Sequence, residues 1–374
     1  MVHICFAGYG ISSPWNEGKR VVSRNMIDAL KKYTDLDISV VSSIGKKEEK
    51  MRGVEYANTT WLTRYTRYCD PLRDAAMIRL INSIDKRKNI DIIHLLNAHF
   101  PVFSLYGKMK RKKVIAQFFG NPHFNILKRL RVPRAIDMYI TTSAEIGWLD
   151  DLGIKNFQRI NPPINTDLFK PMDKQKARKL LNLPEDKFIV LYMGNLEEVR
   201  FSLSFTEEVK FLREQNNLLL IHANLVDTDW LKKSNILHKE NVILKREILR
   251  EEQKSYVYNA ADAFILPFSK KMNAYKHVFV IDPPITMLEA MSCGVPVIAP
   301  DVFSIPEIIK DGYNGYITPL GDFKKVDTIL HYVSKEGGEE DSINANARKT
   351  ILNDFSYEKT AMRMKKIYEG VLNG

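Results

Sequence analysis

Cysteine is scarce in this chain of 374 residues, and its three copies do not form a recognisable set. Cys5, Cys69 and Cys293 are odd in number, and no two of them stand in CxxC spacing. The pattern argues against a disulfide framework and against a structural zinc site. It fits a reducing compartment, so we expect a cytoplasmic protein without a structural metal.

Long apolar runs are missing as well. The longest candidate, residues 92–107, is interrupted by His94, Asn97, His99 and Pro101. It falls short of the roughly 18 uncharged apolar residues that a membrane-spanning helix needs. The chain begins MVHICFAGYG, which has no basic leader and no small-residue cleavage site. We therefore expect neither a membrane-spanning helix nor secretion.

Several nucleotide and hydrolase motifs do not occur. There is no GxxxxGK[ST], no HExxH and no GxSxG, which excludes a P-loop and the usual zinc-protease and α/β-hydrolase sites. A GxG at residues 8–10 follows the first apolar run, but Ser13 replaces the third glycine of a dinucleotide fingerprint. The next apolar run ends at residues 41–43 without the acidic residue that would hold a ribose hydroxyl. We expect no NAD binding.

Positive charge is concentrated in the first part of the chain. The net charge is +11, and residues 1–170 hold 28 Lys and Arg against 16 Asp and Glu. No carboxylate lies between Asp91 and Asp137, a segment that contains many cations. The asymmetry favours an anionic partner: nucleic acid, an anionic membrane surface or a phosphorylated substrate. A solvated basic surface is the alternative, and nucleic acid is disfavoured because no aromatic-basic recognition motif accompanies the charge.

Short β-branched runs alternate with longer amphipathic segments along the whole chain. The strand-like runs come in two sets, separated by a proline-containing segment at residues 160–173. The alternation predicts parallel sheets covered by helices on both faces. We predict an α/β fold of two doubly wound parallel-sheet domains, residues 1–165 and 166–356, followed by an amphipathic helix within 357–374. Ligands of such sheets bind at the carboxyl ends of the strands, so the expected active site is a cleft between facing domains.

The most informative stretch is DPPITMLEAMSCGVPVIAPDVFSIPEIIKDGYNGYITPLGD, residues 282–322. It predicts a turn at its two prolines, a helix from Ile285 to Ser292 and a buried strand after Gly294. The first N–H groups of such a helix suit a phosphate. Glu289, one turn into the helix, suits the hydroxyls of a neighbouring ribose. Alternatively, Glu289 caps the helix or forms a local salt bridge.

This stretch resembles the donor-binding domain of the family 4 glycosyltransferases, which are retaining enzymes of the GT-B fold. The similarity lies in the order Glu-Ala-Met, Cys-Gly, Pro-Val-Ile-Ala, Pro-Glu-Ile-Ile and Asp-Gly-x-Asn-Gly. Weaker similarities are INPPINTDLFKP at 160–171, YMGNLEEVR at 192–200, SYVYNAADAFILPF at 255–268, MYITTSAEIGWLDDLGI at 138–154 and Asn16-Glu17-Gly18. The resemblance implies two Rossmann-like domains facing a cleft: an N-terminal acceptor domain, against which the last helix packs, and a C-terminal donor domain.

The resemblance also implies roles for single residues. A nucleotide-diphosphate sugar would bind the second domain, with Glu289 on the ribose and the leaving diphosphate neutralised by Arg200. The donor-binding residues implied are Gly18, Gly194, Asn195, Arg200, Thr286, Met287 and Glu289. Thr286 and Met287 would contribute backbone N–H groups to the diphosphate. Because cations and N–H groups replace a metal ion in this scheme, we expect no metal and no cofactor.

Two positions in the second half depart from the family's pattern. The glutamate that precedes Glu289 by eight positions in the family, and contacts the donor sugar, is Ile281 here, with Asp282 beside it. Asn195 stands where the family has an arginine. Together with a third departure, at a histidine position, they leave open a catalytically silent protein that binds a nucleotide sugar or supports a partner enzyme.

A third departure concerns a catalytic histidine. The strand KVIAQFFG resembles one that ends in His-Gly in the family, but the histidine position is Phe119. His123, four residues on, could substitute for it near the reacting sugar. His94 is interpreted as a packed histidine at a strand end.

The segment HFNILKRLRVPR at 123–134 resembles an interfacial helix for an anionic membrane. Apolar residues share one side of it and are flanked by Lys128, Arg129, Arg131 and Arg134. We expect a glycosyltransferase that acts on a lipid-linked or polysaccharide acceptor in cell-envelope glycan biosynthesis, with peripheral contact to the inner face of the cell membrane. The alternative is an acceptor loop anchored to its own core.

Overall fold

The chain folds into two compact units. The computed structural model describes residues 1–9, 11, 17–44, 54–58, 71–96, 100–120, 136–144, 146–151, 153–223, 226–233, 236, 239–275, 281–335 and 339–374. Unit 1 contains the described residues of Met1–Pro163 and Tyr357–Gly374, together with Ile281 and Asp282. Unit 2 contains the described residues of Ile164–His277 and Pro283–Ser356. The predicted boundary between residues 165 and 166 lies two residues beyond the end of the first segment of unit 1.

Unit 1 is built on a seven-stranded sheet in which all paired strands run parallel. Its order is β3-β2-β1-β4-β5-β6-β7. The strands are β1 (His3–Tyr9), β2 (Asp37–Ile44), β3 (Glu55–Asn58), β4 (Ile92–Leu96), β5 (Lys113–Phe118), β6 (Met138–Thr141) and β7 (Phe157–Arg159). The helices are α1 (Gly18–Tyr33), α2 (Pro71–Lys88), α3 (Phe100–Lys110), α4 (Gly147–Asp151) and α13 (Tyr357–Asn373). Central strands read as continuous apolar runs because helices cover both faces of a parallel sheet.

Unit 2 has a six-stranded sheet of the same kind, in the order β10-β9-β8-β11-β12-β13. The strands are β8 (Phe188–Met193), β9 (Asn217–His222), β10 (Val242–Lys245), β11 (Ala263–Ile265), β12 (Val297–Pro300) and β13 (Tyr316–Thr318). The helices are α5 (Lys174–Leu180), α6 (Leu203–Glu208), α7 (Thr228–Lys233), α8 (Glu251–Asn259), α9 (Ile285–Ser292), α10 (Ile305–Ile308), α11 (Phe323–Val333) and α12 (Glu339–Asp354). The α/β prediction with two doubly wound sheets is confirmed. Among the described helices, none is both long and apolar enough to cross a bilayer.

The terminal helix α13 packs along α1 within unit 1. At its start, the Tyr357 hydroxyl donates to Asn25 Oδ1 at 2.9 Å. At its end, the Tyr368 hydroxyl is hydrogen-bonded to His94 Nδ1 at 2.7 Å. His94 is the third residue of β4 and is completely buried. It is therefore a packed histidine, as interpreted, but it lies inside the strand rather than at its end.

A buried ion pair joins the two strands at the centre of the unit 2 sheet. The guanidinium of Arg178, on α5, pairs with Asp262, which directly precedes β11. The Asp262 carboxylate also accepts the N–H of Ile189 on β8 at 2.6 Å. Arg178 donates to the carbonyls of Ala260, Glu185 and Lys187 as well. Because these groups satisfy nearly every donor of the guanidinium, the pair fixes the start of β8 against the start of β11.

We expect Arg178→Ala to lower the free energy of unfolding by about 3–5 kcal/mol, because it leaves the Asp262 carboxylate without its buried partner. Lys174→Ala is the matched control, since Lys174 pairs with the same carboxylate from an exposed position. It should cost less than about 1 kcal/mol. Urea denaturation measures both values, and equal losses would contradict the importance of the buried pair.

The buried histidine predicts a pH dependence. Burial lowers the pKa of His94 to about 3, whereas an unfolded histidine titrates near 6.5. Between these pH values, unfolding is accompanied by the uptake of a proton by His94. The free energy of unfolding is therefore not reduced by His94 above about pH 6.5, and it falls as the pH drops towards 3. His94→Gln should flatten this slope in urea unfolding measured at a series of pH values.

His331 on α11 supplies a control of opposite sign. Its hydrogen bond to the Asp327 carbonyl, together with Glu214, raises its pKa. Protonated His331 therefore stabilises the folded protein at pH values below the pKa of an unfolded histidine. This stabilisation is lost as the pH rises through the pKa of His331 in the folded protein. His331→Gln should change the slope in the other direction. A change in the same direction as for His94→Gln would contradict the assignment of His331.

Candidate functional site

In unit 2 the strand order reverses at β8. The chain passes from β8 to β9 on one side and later returns to β11 on the other. Loops that leave the carboxyl ends of β8 and β11 diverge there, and such a reversal is where open parallel sheets bind ligands. Helix α9 connects β11 to its parallel neighbour β12, so its N-terminus lies at the same edge.

The loop after β8 begins with Gly194 and Asn195. The Gly194 N–H donates to the carbonyl of His222 at the end of β9, at 3.1 Å. A Cβ at Gly194 would lie 2.9 Å from the Tyr192 hydroxyl oxygen. That hydroxyl donates to the Asn195 carbonyl at 2.6 Å, so a buried tyrosine closes the loop over its own strand. Both predicted residues thus lie at the carboxyl edge of the sheet.

Arg200 lies near the end of the same loop, before α6 begins at Leu203. The side-chain Nε of Arg200 pairs with Glu197 Oε1 at 2.5 Å. Its backbone N–H donates to the Glu197 carbonyl at 3.1 Å. The neighbouring Glu198 pairs with Lys271, and the Val199 carbonyl accepts the Ser269 N–H. The loop is therefore held against the segment that follows β11. Arg200 is partly exposed and places a cation at this edge.

The start of α9 offers backbone donors. Pro284 precedes the helix and provides no capping side chain, and the first turn holds no acidic residue. The Thr286 N–H has no acceptor within the helix, by its position in the first turn. The Met287 N–H, in contrast, donates to the Pro284 carbonyl at 3.1 Å. Of the two amides predicted to meet a diphosphate, Met287 must therefore share or give up an existing bond.

Glu289 lies one turn into α9 and is only 2% exposed. Its Oε2 accepts a hydrogen bond from the Tyr258 hydroxyl on α8, at 2.7 Å. Tyr258 is held edge-on against Phe169 and lies against Phe264. Burial and the nearby Glu289 charge raise the pKa of Tyr258 well above its usual range, which keeps it a hydrogen-bond donor. The phenol therefore orients a buried carboxylate near the edge where the α9 amides point.

Tyr258 was not predicted as a site residue, and neither were two further polar residues beside this edge. Lys254 precedes Tyr258 by one turn on α8 and is largely buried. His222, the last residue of β9, is buried, and Nε2 has no hydrogen-bond partner among the described residues. Burial, Lys254 and Lys245 lower the pKa of His222 to about 4, so it is neutral at pH 7. An imidazole side chain at the end of the apolar run LLLI is the signal that could have identified His222. Lys254 and Tyr258 lie within the polar sequence of α8, which carries no such signal.

Unit 1 presents its own carboxyl edge, at the reversal between β1 and β4. Helix α1 begins there at Gly18, and a Cβ on Gly18 would overlap the Ile281 side chain. Lys19 follows in the first turn, where the helix dipole disfavours a cation, and burial lowers its pKa to about 8. Ile281 therefore packs on a glycine that was predicted to bind the donor.

Asp282, which follows Ile281, also forms its hydrogen bonds with residues of unit 1. The Asp282 carboxylate accepts the Ser143 hydroxyl at 2.8 Å and the Ala144 N–H at 3.1 Å. Its backbone N–H donates to the Phe119 carbonyl at 3.2 Å. This bond joins Phe119 to the residue that follows Ile281. Phe119 and Ile281 are the two positions at which this chain departs from the family's sugar-contacting residues, and the bond holds them close together.

Some predicted residues cannot be located. His123, Lys128, Arg129, Arg131 and Arg134 lie outside the described residues, so their roles stay predictions. Within the described ranges, no three His, Cys, Asp or Glu side chains come together as a metal site. The expectation that neither metal nor cofactor is needed also stays a prediction.

Comparison with known proteins gives consistent matches to sugar transferases. Residues 173–350 match the family described as glycosyl transferases group 1. The N-acetyl-alpha-D-glucosaminyl L-malate synthase of Bacillus anthracis is 22% identical over 333 residues, covering 85% of this chain and 84% of that protein. The UDP-Gal:alpha-D-GlcNAc-diphosphoundecaprenol alpha-1,3-galactosyltransferase of Escherichia coli is 23% identical over 197 residues, 51% of this chain and 47% of that protein. The match to this second relative thus spans about half its length.

Solved structures agree on the fold. The Anabaena protein HepE, crystallised with UDP and glucose, superposes with a TM-score of 0.75 over 99% of this chain and 100% of its own, at 14% identity. At that identity the likeness concerns the fold alone, and it is the GT-B fold that the sequence predicted.

The close approach at Gly194 yields a test of the loop. Gly194→Ala should cost about 1–3 kcal/mol of stability, because the added methyl displaces the buried Tyr192 hydroxyl. Adding Tyr192→Phe to Gly194→Ala removes the atom that the methyl meets, so the double variant should recover part of the loss. Thermal unfolding of the two single variants and the double variant measures the coupling. Strictly additive effects would show that the two groups do not meet.

Proposed function

We propose that this chain is a glycosyltransferase that uses a nucleoside-diphosphate sugar with retention of anomeric configuration. The match of residues 173–350 to the glycosyl transferases group 1 supports this proposal. The acceptor we propose is a lipid-linked or polysaccharide glycan. The donor would bind unit 2, and the acceptor unit 1.

The observation that carries the proposal is the orientation of Glu289. Its carboxylate is buried, is hydrogen-bonded by the Tyr258 hydroxyl, and follows the uncapped start of α9 by one turn. A carboxylate accepts hydrogen bonds only, so it suits the two hydroxyls of a ribose. The amides at the start of α9 suit the diphosphate attached to that ribose. Helix α9 therefore provides a carboxylate for the ribose and backbone amides for the diphosphate of the same nucleotide.

Arg200 and the α9 amides supply the proposed catalysis. In the transfer, the bond between the sugar's anomeric carbon and the diphosphate oxygen breaks, and its electron pair leaves with the diphosphate. A bond then forms from the acceptor oxygen to that carbon, and the acceptor proton passes to a phosphate oxygen. Negative charge grows on the diphosphate, and a cation with fixed N–H groups stabilises it most when water is excluded.

The distribution of charge supports the proposed acceptor. The excess of cations lies in residues 1–170, and one relative is named for a diphosphoundecaprenol-linked acceptor. An anionic, membrane-borne acceptor would suit a basic unit 1 at the cytoplasmic face of a membrane, in cell-envelope glycan synthesis. In this proposal the segment 123–134 contributes to the membrane contact and His123 lies near the reacting sugar.

A second candidate is a catalytically silent protein that binds a nucleotide sugar or a partner enzyme. The contact of Ile281 with Gly18 favours it, because an apolar side chain occupies a place where the family pattern has a sugar-contacting glutamate. Release of free sugar or product from any nucleotide sugar would exclude this candidate.

Calorimetry against a panel of nucleoside diphosphates and their sugars tests the donor site. We expect saturable binding of one nucleotide class, weakened roughly 10- to 100-fold by Glu289→Gln, which removes a charged hydrogen-bond acceptor. Glu358→Gln on α13 is the matched control, because Glu358 is exposed and lies in unit 1. Equal binding by Glu289→Gln and wild type would contradict the proposed role. No binding to any donor by the folded protein would favour a silent protein that binds a partner enzyme.

A further inference from the structure

Helix α3 of unit 1 presents three apolar side chains to solvent. Val102, Leu105 and Met109 are 40%, 59% and 71% exposed. Their spacing of three and four residues places them on one face of the helix. We refer to these three residues as the α3 stripe.

The outward direction of the stripe is fixed by the opposite face. Phe103 and Tyr106 are buried in the unit 1 core, and Tyr106 donates from its hydroxyl to Asn82 Oδ1 on α2 at 3.4 Å. Rotating α3 to bury the stripe would expose both aromatic rings. The stripe is therefore an apolar surface that the described residues of unit 1 leave exposed.

Isolated exposed apolar side chains are common on protein surfaces, but this stripe is a cluster. Ten large apolar side chains are exposed among the described residues, and three of them are on this single helix of 11 residues. Every other described helix with such a residue carries only one. The clustering distinguishes α3 from the rest of the described surface.

Cations surround the end of the stripe. Lys108, Lys110 and Arg111 are exposed, and within the described ranges none of them takes part in an ion pair. Lys112, directly after them, is paired with Asp85 at 2.8 Å. No carboxylate occurs in the sequence between Asp91 and Asp137. The three unpaired cations thus give the stripe a positive border.

We propose that the α3 stripe and its border of Lys108, Lys110 and Arg111 dock on the anionic headgroup surface of a lipid bilayer. The stripe would enter the boundary between headgroups and acyl chains while the cations bind lipid phosphates. The residues of this surface are not part of the segment 123–134. It is consistent with a membrane-borne acceptor but does not depend on donor binding or transfer.

Size and charge select a bilayer over a protein partner. The stripe spans about 10 Å of helix, whereas a stable protein interface buries roughly 800 Å² on each side. Three side chains cannot form such an interface, but a few apolar side chains with adjacent cations suffice for reversible membrane contact. A second copy of this chain would also place like charges opposite each other if it docked through the same face.

Vesicle co-sedimentation tests the proposal. The full chain is mixed with vesicles of equal parts phosphatidylglycerol and phosphatidylcholine, or of phosphatidylcholine alone. We expect binding to the anionic vesicles only. Leu105→Ser/Met109→Ser should weaken it by about tenfold or more through lost apolar burial. Lys108→Gln/Lys110→Gln/Arg111→Asn should weaken it by roughly fivefold per cation.

Matched controls carry the same chemistry elsewhere on the surface. Leu180→Ser/Met362→Ser removes one exposed leucine and one exposed methionine from other helices. Lys324→Gln/Lys349→Gln/Arg363→Gln removes three exposed cations. Both controls should bind vesicles as wild type does. Nucleotide calorimetry on every variant should be unchanged, which separates failure of this surface from failure of the donor site.

Four results would overturn the proposal. They are wild type that stays in solution with both vesicle types, equal binding to neutral vesicles, equal losses in the controls, and vesicle binding unchanged by both α3 variants. If light scattering also showed that Leu105→Ser/Met109→Ser converts a dimer to a monomer, the stripe would be assigned instead to contact between copies.

Discussion

In each unit the neighbouring strands run parallel, and this constraint decides where chemistry can occur. A parallel strand is followed by a crossover, so every loop that leaves a carboxyl end starts from the same edge of the sheet. Where the strand order reverses, adjacent loops diverge and leave room for a ligand. In unit 2 the reversal brings the loop with Gly194 and Arg200 to the edge where α9 begins.

The buried carboxylate of Glu289 is possible only because its surroundings provide for it. A carboxylate buried without a hydrogen-bond donor is unfavourable, and a phenol that donates to it lowers this cost. Tyr258 provides that donor, and the aromatic contacts with Phe169 and Phe264 hold the phenol in place. At the amino ends of the strands, the Arg178–Asp262 pair is likewise a buried charge with its partners provided. It aligns the start of β8 with the start of β11.

Much of the fold could be predicted from pattern alone. The alternation of apolar runs and amphipathic segments predicts both sheets, and the PPITMLEAMSCG sequence predicts α9 with its bounds at Ile285 and Ser292. These features are local, because they depend on propensities and on the spacing of turn residues. The prediction of Glu289 as a candidate site residue came from the same local stretch.

What the sequence could not predict depends on contacts between distant residues. The partner of Glu289 lies 31 positions away on another helix, and the partner of His94 is Tyr368, which is 274 positions away. The bond from the Met287 N–H to the Pro284 carbonyl depends on how tightly the first turn of α9 closes. Likewise, the contact of Ile281 with Gly18 joins segments whose proximity no periodicity encodes.

The most direct test of the account is a crystal structure of the protein with the nucleoside diphosphate that it binds best. The account predicts that the ribose hydroxyls lie within hydrogen-bond distance of the Glu289 carboxylate, with the Tyr258 hydroxyl still bound to Oε2 and the diphosphate at the start of α9. A nucleotide bound elsewhere, or a Glu289 carboxylate that stays covered by protein while the nucleotide is bound, would contradict it.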